Sequence, residues 1–234
     1  MSNKLIAISG VKGSGKNLTA DMLQYCLSVP SIFRQYWIYK YFKKLFPKKW
    51  KIIAFADPLK KMLSVLLNVP IERFNDRQFK EECFVDLSTL EFSFSAFDKD
   101  GIRLSDNKFN KLLKAEESLN NYQLSIRQLM QYFGTNQMRK YFGDKIWVNS
   151  TLRNASKRTI ISDLRFRSEA DSIRQKAKLI YINRPGYGFG QHQSEKEIEQ
   201  LLKENYYDFI IDNTGTEKDL FYKIKSVSKW LANK

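Results

Sequence analysis

Lys4-Leu-Ile-Ala-Ile-Ser9 runs without a break into Gly10-Val11-Lys12-Gly13-Ser14-Gly15-Lys16, and that junction decides the fold. The first run is a short apolar stretch of the kind that forms a buried strand, and the second has the spacing of a phosphate-cradling loop. Glycines let the backbone wrap a polyphosphate so that several N–H groups point inward. The helix that follows presents the positive end of its dipole, and Lys16 neutralises the β- and γ-phosphates. A nucleoside triphosphate is the implied ligand, with Lys16 expected to stand exposed until phosphates arrive. The loop departs from its usual pattern once. Where Ser or Thr would touch Mg²⁺ stands Asn17, and Thr19 lies too far along the helix to replace it. Asn17 reaches a metal shell only through its carbonyl or a water. A glycine-rich turn that binds nothing is the bland alternative, and three glycines, a lysine and a preceding strand in register stand against it.

With 234 residues the chain can bury a full core as one domain, or as one domain carrying an insertion. Cys26 and Cys83 are too few for a disulfide framework, and neither a signal peptide nor a long apolar span is visible. A soluble protein in a reducing cytoplasm is therefore expected. The net charge of +15 admits nucleic acid, a membrane surface or small polyanions as partners. That charge is uneven. No acidic residue occurs between Asp21 and Asp57, where Arg34, Lys40, Lys43, Lys44, Lys48, Lys49 and Lys51 alternate with Phe33, Tyr36, Trp37, Tyr41, Phe42 and Phe46. The pattern predicts a basic amphipathic helix stopped before Pro47. It is read as a core-packing helix with aromatics inward and lysines in water, in preference to a site for an anionic surface.

Further short apolar runs, Ile52–Phe55, Thr159–Ser162, Leu179–Ile182 and Asp208–Ile211, bring the strands to five. Helical patterns separate most of them, the signature of an α/β fold with a parallel sheet covered on both faces. From about Phe84 to Tyr122 the rhythm breaks. There the alternation in Glu91–Phe97 and the turn Asp98-Lys-Asp-Gly101 read as a hairpin inserted into the domain. A single domain over residues 1–234 is expected, with an insertion at about 84–122 and no linker to a second domain.

Ser125 with Gln128, and Ser194 with Glu197, fit capping boxes. The first opens a helix whose buried stripe is Ile126, Leu129, Met130 and Phe133. Arg127, Gln131 and Thr135 then form a polar row at i, i+4, i+8, suited to a phosphate and a base edge unless it simply faces solvent. Ligands of open parallel sheets gather at the carboxyl ends of the strands, where Asp163, Arg165 and Arg184 fall. Asp163 there holds Mg²⁺ or its water, and the two arginines neutralise a transferring phosphoryl group. After Arg184 comes Pro185-Gly-Tyr-Gly-Phe-Gly-Gln-His-Gln-Ser194, whose composition suits a mobile cover over bound nucleotide at about 185–194. His192, the only histidine, reads as part of that cover rather than as a catalytic base.

These residues resemble the deoxynucleoside monophosphate kinases of bacteriophages and their relatives. The resemblance rests on the loop with Thr19-Ala-Asp21, on Phe55-Ala-Asp-Pro-Leu-Lys60, and on Ser125-Ile-Arg-Gln-Leu-Met-Gln-Tyr-Phe-Gly-Thr135 running on to Trp147-Val148. Asp163-Leu-Arg165 with Glu169, Arg184-Pro-Gly186 and Asp212-Asn-Thr-Gly215 complete it. It implies a P-loop kinase sandwich of three layers around a five-stranded parallel sheet, and ATP- and Mg²⁺-dependent phosphorylation of a deoxynucleoside 5′-monophosphate. Carried over, Gly10, Lys12, Gly13, Ser14, Gly15, Lys16 and Asn17 take the donor phosphates. Asn213 and Gly215 lie against its adenine; Asp57, Lys60, Arg127, Gln131 and Thr135 take the acceptor; Arg184 starts the lid; and Asp163 with Asn17 serves the metal. The implied partners are a nucleoside monophosphate and a second copy in a homodimer, with no membrane and no stable nucleic acid. The basic stretch before Pro47 and the inserted region depart from the family's pattern.

Two alternatives stay open. A kinase acting on a hydroxyl would share the loop and need a carboxylate base, for which Asp57 is available. A nucleic-acid-binding ATPase would use the positive charge, although no second motor-like motif accompanies it.

Overall fold

The computed structural model describes residues 4–86, 92–93, 123–189 and 193–232. Contacts divide the chain into two compact units, Met1–Phe55 with Trp147–Lys234, and Ala56–Ile146.

The first unit is built on five strands: β1 (Lys4–Ser9), β2 (Lys51–Ile53), β6 (Arg158–Leu164), β7 (Ala177–Asn183) and β8 (Phe209–Asp212). They lie in the order β2-β6-β1-β7-β8, and every pairing is parallel. β1 is central because its Ile6-Ala7-Ile8 run and Ser9 are buried on both faces, which only an interior parallel strand requires. Alternation sends Ile6, Ile8, Ile160, Ile180 and Ile182 to one face, where they pack with Leu23, Met22 and Cys26 of α1 (Lys16–Ser28) and Phe221 and Ile224 of α10 (Glu217–Ala232). Ala7, Ile161, Leu179 and Tyr181 point the other way and are equally buried. The expected α/β architecture with a five-stranded parallel sheet is therefore what the chain forms. No helix among the described residues is long and apolar enough to cross a membrane.

The basic aromatic stretch departs from its prediction. It breaks into a 3₁₀ turn at Ser31–Phe33, the short helix α2 (Tyr36–Phe42) and a second 3₁₀ turn at Lys43–Leu45. Tyr39 is buried and Tyr36, Ile38 and Phe46 pack against the core, as the inward reading expects. Trp37 and Leu45, however, are 58% and 78% exposed, and Tyr41 and Phe42 are exposed with them. A helix with large apolar groups around most of its circumference can turn only one side inward. Asp21 holds the inward side, accepting from Tyr39 Oη at 2.6 Å and from Lys43 Nζ at 2.5 Å.

The second unit contains α3 (Asp57–Leu66), α4 (Arg77–Glu82), α5 (Ile126–Gln131), α6 (Met138–Phe142) and a small antiparallel sheet in the order β4-β3-β5. Its strands are β3 (Phe84–Asp86), β4 (Phe92–Ser93) and β5 (Gln123–Ser125). Leu59, Leu63, Phe74, Phe79, Val85, Leu124, Ile126 and Leu129 are among its buried side chains. Of the expected hairpin, only Phe92–Ser93 is described, paired antiparallel with Phe84–Val85; the turn at 98–101 lies outside the described residues.

Candidate nucleotide site

The loop after β1 holds its shape through glycines whose backbone conformations other residues adopt only under strain. Gly13 has φ +84°, and a Cβ there would lie 2.4 Å from the ring of Tyr187. Gly15 has φ +99°, and a Cβ would come within 2.8 Å of Asn213 Nδ2, which donates to Ser14 O at 2.9 Å. Both conformations cost an L side chain dearly, so the glycines serve backbone shape and close approach together. Gly15 leads directly into α1, whose first turn has no side-chain cap and no acidic residue. Its positive dipole end is thus left to an anion from outside the helix. The Ser14 hydroxyl is buried without a hydrogen-bond partner, as is that of Thr19.

Lys16 does not stand exposed as the sequence suggested. It is only 9% exposed, and its Nζ donates to Gly10 O at 2.6 Å and Val11 O at 2.7 Å. The loop curls over its own lysine, which a linear motif does not reveal. Burial pushes the Lys16 pKa down to about 7, Arg165 lowers it further, and Glu195 and Asp163 oppose the fall. A phosphate arriving here restores the charge.

At the end of β6, Asp163 Oδ1 accepts from Phe55 N at 2.6 Å, which ties the carboxylate to the chain just beyond β2. Arg165 follows, its backbone N–H held by Glu169 Oε2 at 2.9 Å; the same oxygen takes Phe166 N at 3.1 Å. At the end of β7, Arg184 donates from Nη1 to Gly13 O at 3.1 Å and stacks 4.9 Å from the centre of the Tyr187 ring. The first unit therefore brings together Gly10, Lys12, Gly13, Ser14, Gly15, Lys16, Asp163, Arg165, Arg184 and Asn213. Asn17 is exposed on the first turn of α1, and Gly215 lies against Asp219, with a Cβ there only 2.6 Å from Asp219 Oδ2.

Two contributors to this unit were not singled out in the sequence. Tyr187 covers Gly13, and Glu195, near the start of α9 (Gln193–Lys203), places Oε1 3.3 Å from Lys12 N. Nothing local marks either one. Glu197, the predicted capping partner of Ser194, instead accepts from Arg167 N at 2.7 Å, at the head of α8 (Arg167–Ile173). The helix begins at Gln193, so Ser194 sits inside it rather than at the predicted cap. His192 lies outside the described residues.

In the second unit the Ser125 capping box is complete: Gln128 N donates to Ser125 Oγ at 3.2 Å, and Ser125 N to Gln128 Oε1 at 2.8 Å. It starts α5 so that Arg127 is half-buried, its Nε donating to Glu81 Oε1 at 2.7 Å. The predicted straight row is interrupted. Residues Tyr132–Gln137 form a π-helical turn that displaces Thr135 from the line of Arg127 and Gln131. Gly134 lies inside this turn, where a Cβ would come 2.8 Å from Leu59 Cδ2. Met130 and Phe133 are only half-buried, whereas Ile126 and Leu129 fill the stripe as expected. Asp57 opens α3, and Lys60 Nζ bridges Asp57 Oδ1 at 3.2 Å and Asn75 Oδ1 at 3.0 Å.

Among the described residues no group of three or more His, Cys, Asp or Glu could hold a metal ion alone. Asp163 and Asn17 together offer one carboxylate and one amide, a set that fits Mg²⁺, which keeps most of its ligands as water and phosphate oxygens.

The chain was compared with known proteins. A putative deoxynucleotide monophosphate kinase of Acanthamoeba polyphaga mimivirus is 25% identical over 95% of this chain and 94% of its own length. The deoxynucleotide monophosphate kinase of Enterobacteria phage T4 is 26% identical over 97% of this chain and 100% of its own. Among solved structures, a dephospho-CoA kinase from Campylobacter jejuni aligns with 98% of this chain and 99% of its own at 14% identity, with a TM-score of 0.38. The family described as deoxynucleotide monophosphate kinase matches residues 71–224, a span that holds Arg127, Asp163, Arg165 and Arg184 but begins after the phosphate loop. With that match over well over half of its length, and a phosphate loop supplied independently by residues 10–16, the chain belongs to the deoxynucleotide monophosphate kinase family.

Proposed function

We propose that the protein transfers the γ-phosphoryl group of ATP to the 5′-phosphate of a deoxynucleoside monophosphate. The observation that carries this reading is the uncapped head of α1 with Lys16 folded into a glycine loop, flanked by Asp163, Arg165 and Arg184 at the strand ends.

In this reading the loop N–H groups, the Ser14 hydroxyl and Lys16 hold the donor phosphates. Asn213, tied to Ser14 O, keeps Asn213–Gly215 beside the donor base. Arg127 grips the acceptor phosphate, with Gln131, Thr135, Asp57 and Lys60 around the nucleoside. An oxygen of the acceptor phosphate attacks the γ-phosphorus, the bond to the β-bridging oxygen breaks, and ADP leaves. No general base is required, because a phosphate monoester with a second pKa near ~6 is already ionised at neutral pH. Catalysis then rests on in-line positioning and on charge neutralisation by Lys16, Arg127, Arg165 and Arg184. Asp163 and Asn17 would hold Mg²⁺, which would supply further charge neutralisation when bound with the donor. Residues 185–194 act as the lid, residues 84–122 as an insertion in one kinase domain, and the working form is a cytoplasmic homodimer. For a virus the compartment is the host's.

The test is a panel of ribo- and deoxynucleoside monophosphates, and the corresponding nucleosides, incubated with ATP. A diphosphate from at least one deoxynucleoside monophosphate and no product from nucleosides is expected. Phosphorylation of a nucleoside hydroxyl would move the assignment to a hydroxyl kinase with Asp57 as base. ATP hydrolysis that rises only with added DNA or RNA would move it to a nucleic-acid-dependent ATPase.

A further inference from the structure

Glu195 is a carboxylate placed where phosphate chemistry is arranged. Its side chain is 9% exposed, and its Oε1 accepts from the loop N–H of Lys12 at 3.3 Å and lies 3.9 Å from Arg165 Nη1. It also faces Lys16, whose charge it favours, and Tyr181, whose ionisation it disfavours. One buried anion therefore sits among a loop N–H, an arginine and the loop lysine, the three kinds of donor that a polyphosphate uses.

We propose that Glu195 is a displaceable internal anion that competes with the donor polyphosphate for the Lys12 N–H and Arg165, so that it sets donor affinity. The inference rests on the reading of residues 10–16 as the donor loop. Its physical basis is simple: two anions cannot share one N–H and one guanidinium in a buried place without strong repulsion. Binding polyphosphate thus turns Glu195 away from the loop, and the first turn of α9, which carries it, loosens at the same moment. The nearby Glu197 contact to Arg167 N keeps the remainder of α9 docked. The carboxylate keeps the loop and Arg165 oriented toward a negative charge, and the cost is weaker donor binding than the loop alone would give.

The probe is inorganic tripolyphosphate, titrated calorimetrically without Mg²⁺ into the full chain, its Glu195→Gln and Glu195→Asp variants, and Lys16→Ala. Glutamine keeps an acceptor for Lys12 N–H and loses the charge, so Glu195→Gln is expected to bind on the order of tenfold more tightly. Glu195→Asp withdraws the carboxylate by one methylene and should fall between the two. Hydrogen exchange should speed up in the first turn of α9 of the unaltered chain when tripolyphosphate is added, and not in Glu195→Gln. Unchanged or weaker binding by Glu195→Gln, beside normal binding by the unaltered chain, overturns this inference and leaves the donor loop standing. Tightening without Mg²⁺ that reverses to loss with Mg²⁺ would show the carboxylate serving the metal instead, and would also overturn it. If the unaltered chain binds no more tripolyphosphate than Lys16→Ala does, the donor-loop reading falls and this inference with it.

Discussion

Lys16 and Arg127 are both cations assigned to phosphate, and the two units hold them in opposite ways. Lys16 is buried, bonded to two neutral carbonyls of its own loop, and its pKa is depressed. Arg127 is half-exposed and ion-paired with Glu81 on a neighbouring helix. Giving up carbonyls costs a buried ammonium little when phosphate oxygens replace them, and the new charge pair raises its pKa again. Arg127 must exchange one carboxylate for another anion, and its planar fork makes the exchange selective for groups that accept two parallel bonds. In the proposed function the donor cation is thus prepared by the main chain, and the acceptor cation by side-chain pairing.

Lys16→Ala tests this contrast most severely. It should lower kcat by on the order of 10³-fold while the protein still folds, because removing a buried, poorly solvated charge does not cost stability. Near-normal turnover by a folded variant would break the assignment of the loop.

Arg127→Lys should lose about 10²-fold in kcat/KM for the acceptor while the KM for ATP stays within about twofold, since an ammonium cannot reproduce a bidentate fork. A near-normal acceptor constant would put the acceptor phosphate elsewhere.

The contrast also has a pH signature. The folded-state pKa of Lys16, about 7, lies below its ordinary value of 10.5, so the unfolded chain binds the extra proton between those limits and stability rises with pH across them. The destabilisation is fully present below about 7 and gone by about 10.5. Lys16→Met, which keeps the stem and drops the charge, should be more stable than the unaltered chain at pH 7 by on the order of 4 kcal/mol. Denaturant titration should show the difference shrinking toward pH 10, and a constant difference would mean that the lysine is not depressed.

If Asp163 and Asn17 hold Mg²⁺ as proposed, the lack of a hydroxyl at position 17 leaves Asp163 more of the metal's positioning. Asp163→Asn should raise the Mg²⁺ concentration for half-maximal rate about tenfold at saturating ATP and lower the maximal rate, while Asn17→Ser is tolerated. An unchanged metal dependence in Asp163→Asn would place the ion on other groups. Smallest of all, replacing Lys43, Lys44, Lys48 and Lys49 together by Gln should change kinetic constants less than about twofold, because of these only Lys43 forms a described ion pair, with Asp21. Collapse of activity there, beside a normal Arg127→Lys, would reverse the placement of the acceptor site.

The two units also differed in how far they could be read in advance. In the first, strand, loop and helix follow one another within residues 4–28, and the glycine conformations that shape the loop are local properties of those residues. Arg127 was also legible, because a capping box and an apolar stripe set its helix. Thr135 was misplaced because a π turn arises where Gly134 meets Leu59, a contact between residues 75 positions apart. The exposure of Trp37 and Leu45 was missed for a related reason. Local pattern says that aromatics seek burial, but the area of core available to take them is a property of the whole unit.

The sequence by itself determined the parallel sheet, the phosphate loop and the family, since each depends on short-range periodicity and on residue types whose backbone conformations or charges have few substitutes. Only the tertiary structure decided that Lys16 is buried with a depressed pKa, that Tyr187 covers Gly13, and that Glu195 reaches Lys12 N–H from 183 residues away. Those outcomes depend on which groups share a small desolvated volume, and electrostatics in such a volume is set by neighbours in space rather than in the chain.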